Sequence, residues 1–178
     1  MKHHRFTSLI VAALVCAALP ALAQQKRISP HETISTVVGG NRVTIVYGRP
    51  YSKDPKTGET RKIWGTLVPN GKIWRLGADE ATMLITQQPI ELGGTTVPAG
   101  AYTLFMLPSE DGAKLVISKQ LGQWGLQYDE KHDLARVDLK KEPLEKTADQ
   151  FTMAVDKGGV IRMMWENTQF SVPFTVKK

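Results

Sequence analysis

The sequence predicts an all-β chain folded as an antiparallel β-sandwich or a jelly-roll-like single domain, and three observations carry that expectation. Apolar residues recur with a period of two, as in Val43, Ile45 and Tyr47, in Ala81, Met83 and Ile85, and in Phe151, Met153 and Val155. That period turns one side of an extended segment inward. Turn formers interrupt these runs at Gly39-Gly40-Asn41, Gly93-Gly94, Pro98-Ala99-Gly100, Glu110-Asp111-Gly112 and Lys157-Gly158-Gly159. Their spacing, about ten residues, suits short strands joined by tight connections. No tract keeps a helical period beyond two turns.

Taken in chain order, strands are expected at 32–38 and 42–48, flanking the first glycine turn, then at 72–75, 81–87, 89–92 and 95–97. The strand at 101–107 follows a turn in which Pro98 sets one dihedral and Gly100 permits a positive one. Strands at 113–118 and 134–140 come next, followed by a charged linker over 140–149 around Pro143. Further strands are expected at 150–156, 159–165 and 169–176. In the last two, Ile161, Met163 and Trp165 share one parity while Phe170, Val172, Phe174 and Val176 share the other. A turn at Glu166-Asn167-Thr168 would keep both apolar faces inward. Pro173 lacks a ladder donor and favours an edge position for the last strand. Residues 51–61 are polar, with a proline and a glycine, and read as an exposed loop.

The first residues have the form of a secretory signal. Lys2 and Arg5 precede an apolar run from Leu9 to Leu19, and Ala21-Leu22-Ala23 offers a small-x-small cleavage site. The run is shorter than the roughly twenty residues that span a bilayer. The expected division is therefore a signal peptide at 1–23 and one β domain at 24–178, periplasmic or extracellular, with no membrane anchor after cleavage. Cys16 lies inside the apolar run behind the bulky Val15, which argues against lipoprotein processing. Cleavage removes this single cysteine, leaving 155 of the 178 residues and no disulfide or thiolate chemistry. The mature chain carries 21 basic and 17 acidic residues, a mild and dispersed excess that does not suit nucleic-acid binding.

Several chemistries are excluded by composition. Outside the leader the histidines are His31 and His132, so a three-histidine zinc site cannot form. There is no His-Glu-x-x-His, no Gly-x-Ser-x-Gly, no phosphate-binding glycine loop and no dinucleotide fingerprint. Neither a cofactor nor a resident metal is expected. Asp129 to Asp133 is rich in oxygen ligands but lacks the glycine and alternating spacing of a calcium loop, so it reads as a solvated turn.

The residues that could form a site concentrate at Trp74-Arg75-Leu76-Gly77-Ala78-Asp79-Glu80. Arg75 offers a planar fork for a carboxylate, phosphate or sugar hydroxyl. Asp79 and Glu80 follow a Gly-Ala bend and could meet it; the plainer reading is that Arg75 pairs with one of them and pins the loop. A second cluster is Gln123-Trp124-Gly125 with Tyr128 and Asp129. Trp64, Trp74 and Trp124 are either stacking platforms or core, while the parity of Trp165 assigns it to the core. A carboxylate pair for glycoside hydrolysis could come from Asp79, Glu80, Glu91, Asp129 or Glu166.

The motifs Trp64-Gly65, Leu67-Val68-Pro69, Gly71-Lys72, Trp74-Arg75 and Gly77-Ala78 followed by Glu80-Ala81-Thr82 resemble the bacterial domain-of-unknown-function family 2911. The clusters at 123–129 and 97–105 extend the resemblance, which runs from about Ser29-Pro30 to Trp165-Glu166. It implies a secreted single-domain β protein and no activity. Where that family usually has asparagine, this chain has Asp79. The leading expectation is a binder of a small molecule or glycan, with Trp74, Arg75, Asp79, Glu80, Trp124, Tyr128 and Asp129 at the site. The alternatives are a carboxylate-dependent hydrolase on the same face and a structural or protein-binding module that uses an exposed edge strand.

Overall fold

Nine antiparallel strands follow one another in the computed structural model, which describes residues 27–177; the expected signal segment lies outside the described residues. They are β1 (His31–Val38), β2 (Asn41–Gly48), β3 (Thr82–Thr86), β4 (Ile90–Leu92), β5 (Thr95–Val97), β6 (Gly100–Pro108), β7 (Ala113–Ser118), β8 (Asp133–Val155) and β9 (Val160–Val176). Their spatial order is β1-β2-β3-β6-β7-β8-β9-β4-β5. The chain is all-β and sandwich-like, as its alternation predicted.

β8 makes the second layer possible. Its first part pairs with β7, from Leu139 opposite Ala113 to Asp133 opposite Ser118. The rest pairs with β9, from Lys140 opposite Ser171 to Val155 opposite Ile161. One strand therefore belongs to both layers. Tyr47 ties them from inside: it leaves β2, donates to Glu32, and accepts the Met153 backbone N–H of β8 at 2.9 Å. Burial, reinforced by the Glu32 carboxylate, pushes its phenol well above the ordinary tyrosine range.

Between the layers lies one apolar cluster drawn from every strand, with Val43, Ile45, Leu84, Leu104, Leu115, Phe151, Ile161 and Trp165 at its centre. Full burial of such side chains stabilises by about 1.5–3 kcal/mol each. Trp64, Trp74, Phe151, Trp165 and Phe170 form an aromatic knot at one end. Trp74 stacks on Trp165 at 5.6 Å, and Trp64 meets Phe170 edge-on at 5.2 Å.

Four sequence expectations need correction. Residues 72–75 form no strand but a single bridge, in which Trp74 and Met106 exchange backbone hydrogen bonds of 2.8 Å. Residues 140–149 are not a linker but the middle of β8, because backbone pairing to β9 does not require apolar side chains, and the polar ones face solvent. No turn occurs at 166–168. β9 runs through, and Glu166, at φ 51°, switches the parity beside register shifts in β8. Nor is the C-terminal strand an edge: β9 pairs with β4 through Phe174 and Val176, while β1 and β5 end the order. Pro173 is accommodated because it falls just beyond the last β8 pair, Lys140 with Ser171.

The β8–β9 turn is held by Asp156, whose carboxylate accepts from the Val160 backbone N–H at 3.0 Å and from Arg162 at 3.0 Å. These donors, the backbone N–H first, hold its pKa below the ordinary carboxylate value. A lowered carboxylate adds stability above its unfolded pKa and loses it as pH falls through the folded one. Denaturant unfolding of Asp156→Asn should therefore show a deficit at neutral pH that shrinks as pH falls through the lowered pKa and is gone once the carboxyl is protonated in the folded protein. A deficit that persists in acid would mean that the turn, and not the charge, is what the variant damages.

Candidate functional site

The segment from Trp74 to Glu80 is shaped by two left-handed residues that are not glycine. Leu76 has φ 55° and is fully buried, and its carbonyl accepts the Thr82 hydroxyl at 2.6 Å. Asp79 has φ 64°. Aspartate tolerates this region better than most side chains, so its presence at 79 meets a backbone demand. A β-carbon on Gly48 would lie 2.3 Å from the Ala78 carbonyl oxygen, so β2 and this segment touch backbone to backbone.

These reversals send the acids away from Arg75. Asp79 Oδ2 sits 3.1 Å from His31 Nε2, and Glu80 binds Arg27 and lies 3.6 Å from the same histidine nitrogen. The expected pairing of Arg75 with one of these acids does not occur. Arg75 instead crosses Gly125, where a β-carbon would meet its Cδ at 2.0 Å. Its Nε is buried without a hydrogen-bond partner. Only a glycine at 125 leaves room for this side chain.

Asp79 to Ala81 runs beside Gln123 to Gly125, joined by the bridge between Glu80 and Trp124 and by the Gly125 N–H donated to the Asp79 carbonyl at 3.1 Å. This pair of segments divides two cavities. On one side a cleft of about 500 Å³ is lined by Tyr51, Lys56, Arg61, Trp74, Arg75, Asp79, Leu126 and Trp165, among others. On the other a cavity of about 300 Å³ is lined by Arg27, His31, Tyr47, Glu80, Met83, Thr103 and Gln123, among others. Trp124, 47% exposed, belongs to the dividing pair itself.

The cleft is rich in unpaired donors. Lys56, Arg61 and Arg75 have no carboxylate partner among the described residues. Arg61 donates to the Tyr51 and Ser52 carbonyls, and it and Lys56 act on the Asp54 carboxylate only through longer-range charge. Two buried N–H groups of lining residues, Arg75 Nε and Trp165 Nε1, have no partner. Of the two lining acids named by geometry, Asp79 is engaged by His31, and Asp54 accepts the backbone N–H groups of Lys56 and Thr57, which lower its pKa.

The residues expected at the site thus separate. Trp74, Arg75 and Asp79 line the cleft, Glu80 lines the second cavity, and Trp124 stands between them. Tyr128 and Asp129 line neither cavity. Tyr128 packs edge-on against Phe105 at 5.0 Å, donates to Asp133 at 2.7 Å and accepts from Arg136 at 2.8 Å. Burial and the Asp133 carboxylate push its phenol up to about 12. Asp129 caps the 3-10 turn Glu130–His132 by accepting the Lys131 N–H. Both make these contacts where the chain turns into β8. His31 and Arg27 are lining residues that sequence reasoning did not single out, whereas Gln123 was named in the second cluster. The available signal was position, since His31 follows the Ser29-Pro30 pair at which the family resemblance begins.

Among the described residues no group of three or more His, Cys, Asp or Glu is arranged to hold a metal ion. A family model described as a protein of unknown function (DUF2911) matches residues 29–174. No curated protein and no solved structure matches the chain.

Proposed function

The chain belongs to the DUF2911 family of proteins of unknown function, and because that membership assigns no chemistry, we propose from the cleft that it is an exported binder of a small, acceptor-rich ligand such as a carboxylate-bearing metabolite or an acidic sugar. The observation that carries this reading is the Arg75 guanidinium, half-buried on a cleft that Lys56 and Arg61 also line and without a carboxylate partner among the described residues. A ligand anion at the terminal nitrogens of Arg75 would supply that partner, and the guanidinium fork suits a planar anion. Tyr51, Leu67 and Leu126, at 39%, 44% and 79% exposure, supply apolar walls at the mouth. Export rests on the leader at 1–23; intact mass of protein expressed with its own leader checks it, since cleavage after Ala23 makes Gln24 the first residue.

Thermal unfolding of this protein against small dicarboxylates, phosphates and uronic acids tests the binding reading, alongside Arg75→Met. A ligand at about 100 times its dissociation constant adds roughly 2.7 kcal/mol to the state that binds it. The expected result is a shift in the wild type that Arg75→Met abolishes while remaining folded, since methionine keeps the apolar contact over Gly125. A shift equal in both proteins, or none with any acceptor-rich compound, removes the cleft reading and favours a structural module.

A hydrolase is the second reading, supported by His31 with Asp79 and Glu80 at 3.1 and 3.6 Å, a base held between two carboxylates. Turnover of glycoside or ester substrates that falls by orders of magnitude in His31→Ala would favour it over simple binding.

A further inference from the structure

We infer, resting on the anion reading of the cleft, that its ligand is an amphipathic acid: a carboxylate head on an apolar chain of medium length, as in a fatty acid. The large apolar side chains left exposed among the described residues are Ile28, Val37, Tyr51, Leu67, Leu121, Trp124 and Leu126. Four of them, Ile28, Tyr51, Leu67 and Leu126, line this one cleft. Apolar side chains scattered singly over a surface need no explanation, whereas a group gathered around one groove marks a place where something apolar binds. Ile28 precedes β1, Tyr51 and Leu67 lie well apart in the connection from β2 to β3, and Leu126 lies in the connection from β7 to β8. The fold, and not any local preference of the chain, gathers them.

The same cleft supplies the charge. Lys56, Arg61 and Arg75 line it, while of its acids Asp79 is held by His31 at 3.1 Å and Asp54 accepts the backbone N–H groups of Lys56 and Thr57. A carboxylate head would meet the terminal nitrogens of Arg75, since its Nε is shut away from solvent. A sugar acid could satisfy these cations equally well, but it would set hydroxyl groups against leucine and isoleucine, where they lose water and gain no partner. An apolar peptide ending in a carboxylate brings the same difficulty with its amide groups. A hydrocarbon chain has no polar group to desolvate. At about 500 Å³ the cleft falls within the range of small-molecule sites. Each methylene fully removed from water there would tighten binding by roughly fourfold.

The test is calorimetric titration of the full protein with butanoate, octanoate, glucuronate, octanol and N-acetyl-leucyl-leucine, below the concentrations at which octanoate forms micelles. Wild type is compared with Leu126→Ser, Leu121→Ser and Arg75→Met. The expected result is octanoate binding roughly tenfold or more tighter than each of the other four compounds. Leu126→Ser should shrink the ratio of octanoate to butanoate affinity several-fold, and Arg75→Met should weaken both acids. Leu121→Ser, exposed but outside the cleft, should leave the ratio unchanged. Butanoate or glucuronate binding as tightly as octanoate overturns the inference and leaves the anion reading standing. N-acetyl-leucyl-leucine binding more tightly than octanoate also overturns it, by making the occupant a peptide end. Octanol binding as tightly as octanoate, or no binding by any of the five, removes both readings. An octanoate preference that Leu126→Ser and Leu121→Ser leave equally intact places the chain elsewhere and overturns the inference too. Leu126 is 79% exposed, so its serine variant keeps the fold and decides the question even if Arg75→Met does not.

Discussion

Replacing Trp165 by alanine should lower stability by about 3–5 kcal/mol, the usual cost of emptying a large aromatic site in a core. Trp165 is 1% exposed and sits in the middle of the aromatic knot, stacked on Trp74 at 5.6 Å and edge-on to Phe151 at 5.8 Å and Trp64 at 6.4 Å. Its aromatic neighbours come from three separate segments, so no single movement can refill the space. For a domain of this length the loss corresponds to a fall in Tm of roughly 6–20 °C. Trp165→Phe separates packing from polarity. It keeps much of the buried area and removes the unpartnered indole N–H, so the packing loss is partly offset and the cost should be well below that of alanine. A cost for Trp165→Ala below about 1 kcal/mol in denaturant titration would mean that the knot is not the organising centre of the core.

Gly48→Ala is expected to cost about 3 kcal/mol or more and to abolish binding at the cleft, although Gly48 itself lines only the smaller cavity. The added β-carbon would stand 2.3 Å from the Ala78 oxygen, 2.9 Å from its carbonyl carbon and 3.0 Å from its nitrogen. All three are backbone atoms, so no rotamer change relieves the clash; the segment that carries Asp79 and Glu80 must move. Gly40→Ala is the control. Gly40 has φ 82° with open space around its missing β-carbon, so alanine there meets only the left-handed strain of about 1–2 kcal/mol. If Gly48→Ala costs no more than Gly40→Ala by denaturant titration, the close backbone contact is not what positions the acids.

The strands that could be read from the sequence are those whose side chains alternate. β1, β2 and β3 favour one parity for burial, and a period of two survives any arrangement of neighbours, whereas β6 and β7 bury both parities over most of their length. The middle of β8 could not be read because Lys140 to Asp149 has no apolar face; it is a strand through backbone pairing to β9, which leaves no trace in side-chain composition. The parity change in β9 was visible, but a bulge and a turn produce the same pattern, and only the register with β8 separates them.

The candidate site divides in the same way. Arg75, Asp79 and Trp74 were found because charge and aromatic residues crowd a short segment. His31 and Arg27 escaped because they stand some fifty residues away from the acids they meet, 48 and 53 in sequence for the pairs with Asp79 and Glu80. The left-handed conformations of Leu76 and Asp79 decide that meeting, and leucine carries no signal for such a backbone.

By itself, then, the order of residues settled the all-β class, the inward parity of most strands, the core role of Trp165 and the family. Tertiary structure alone decided which charges meet, that β8 serves both layers, that β9 is interior, and that two cavities flank the pair of segments at 79–81 and 123–125. The reason is physical: alternation is a local consequence of the extended backbone, whereas ion pairs and cavities depend on register and on a few reversed dihedrals, which act between segments far apart in the chain.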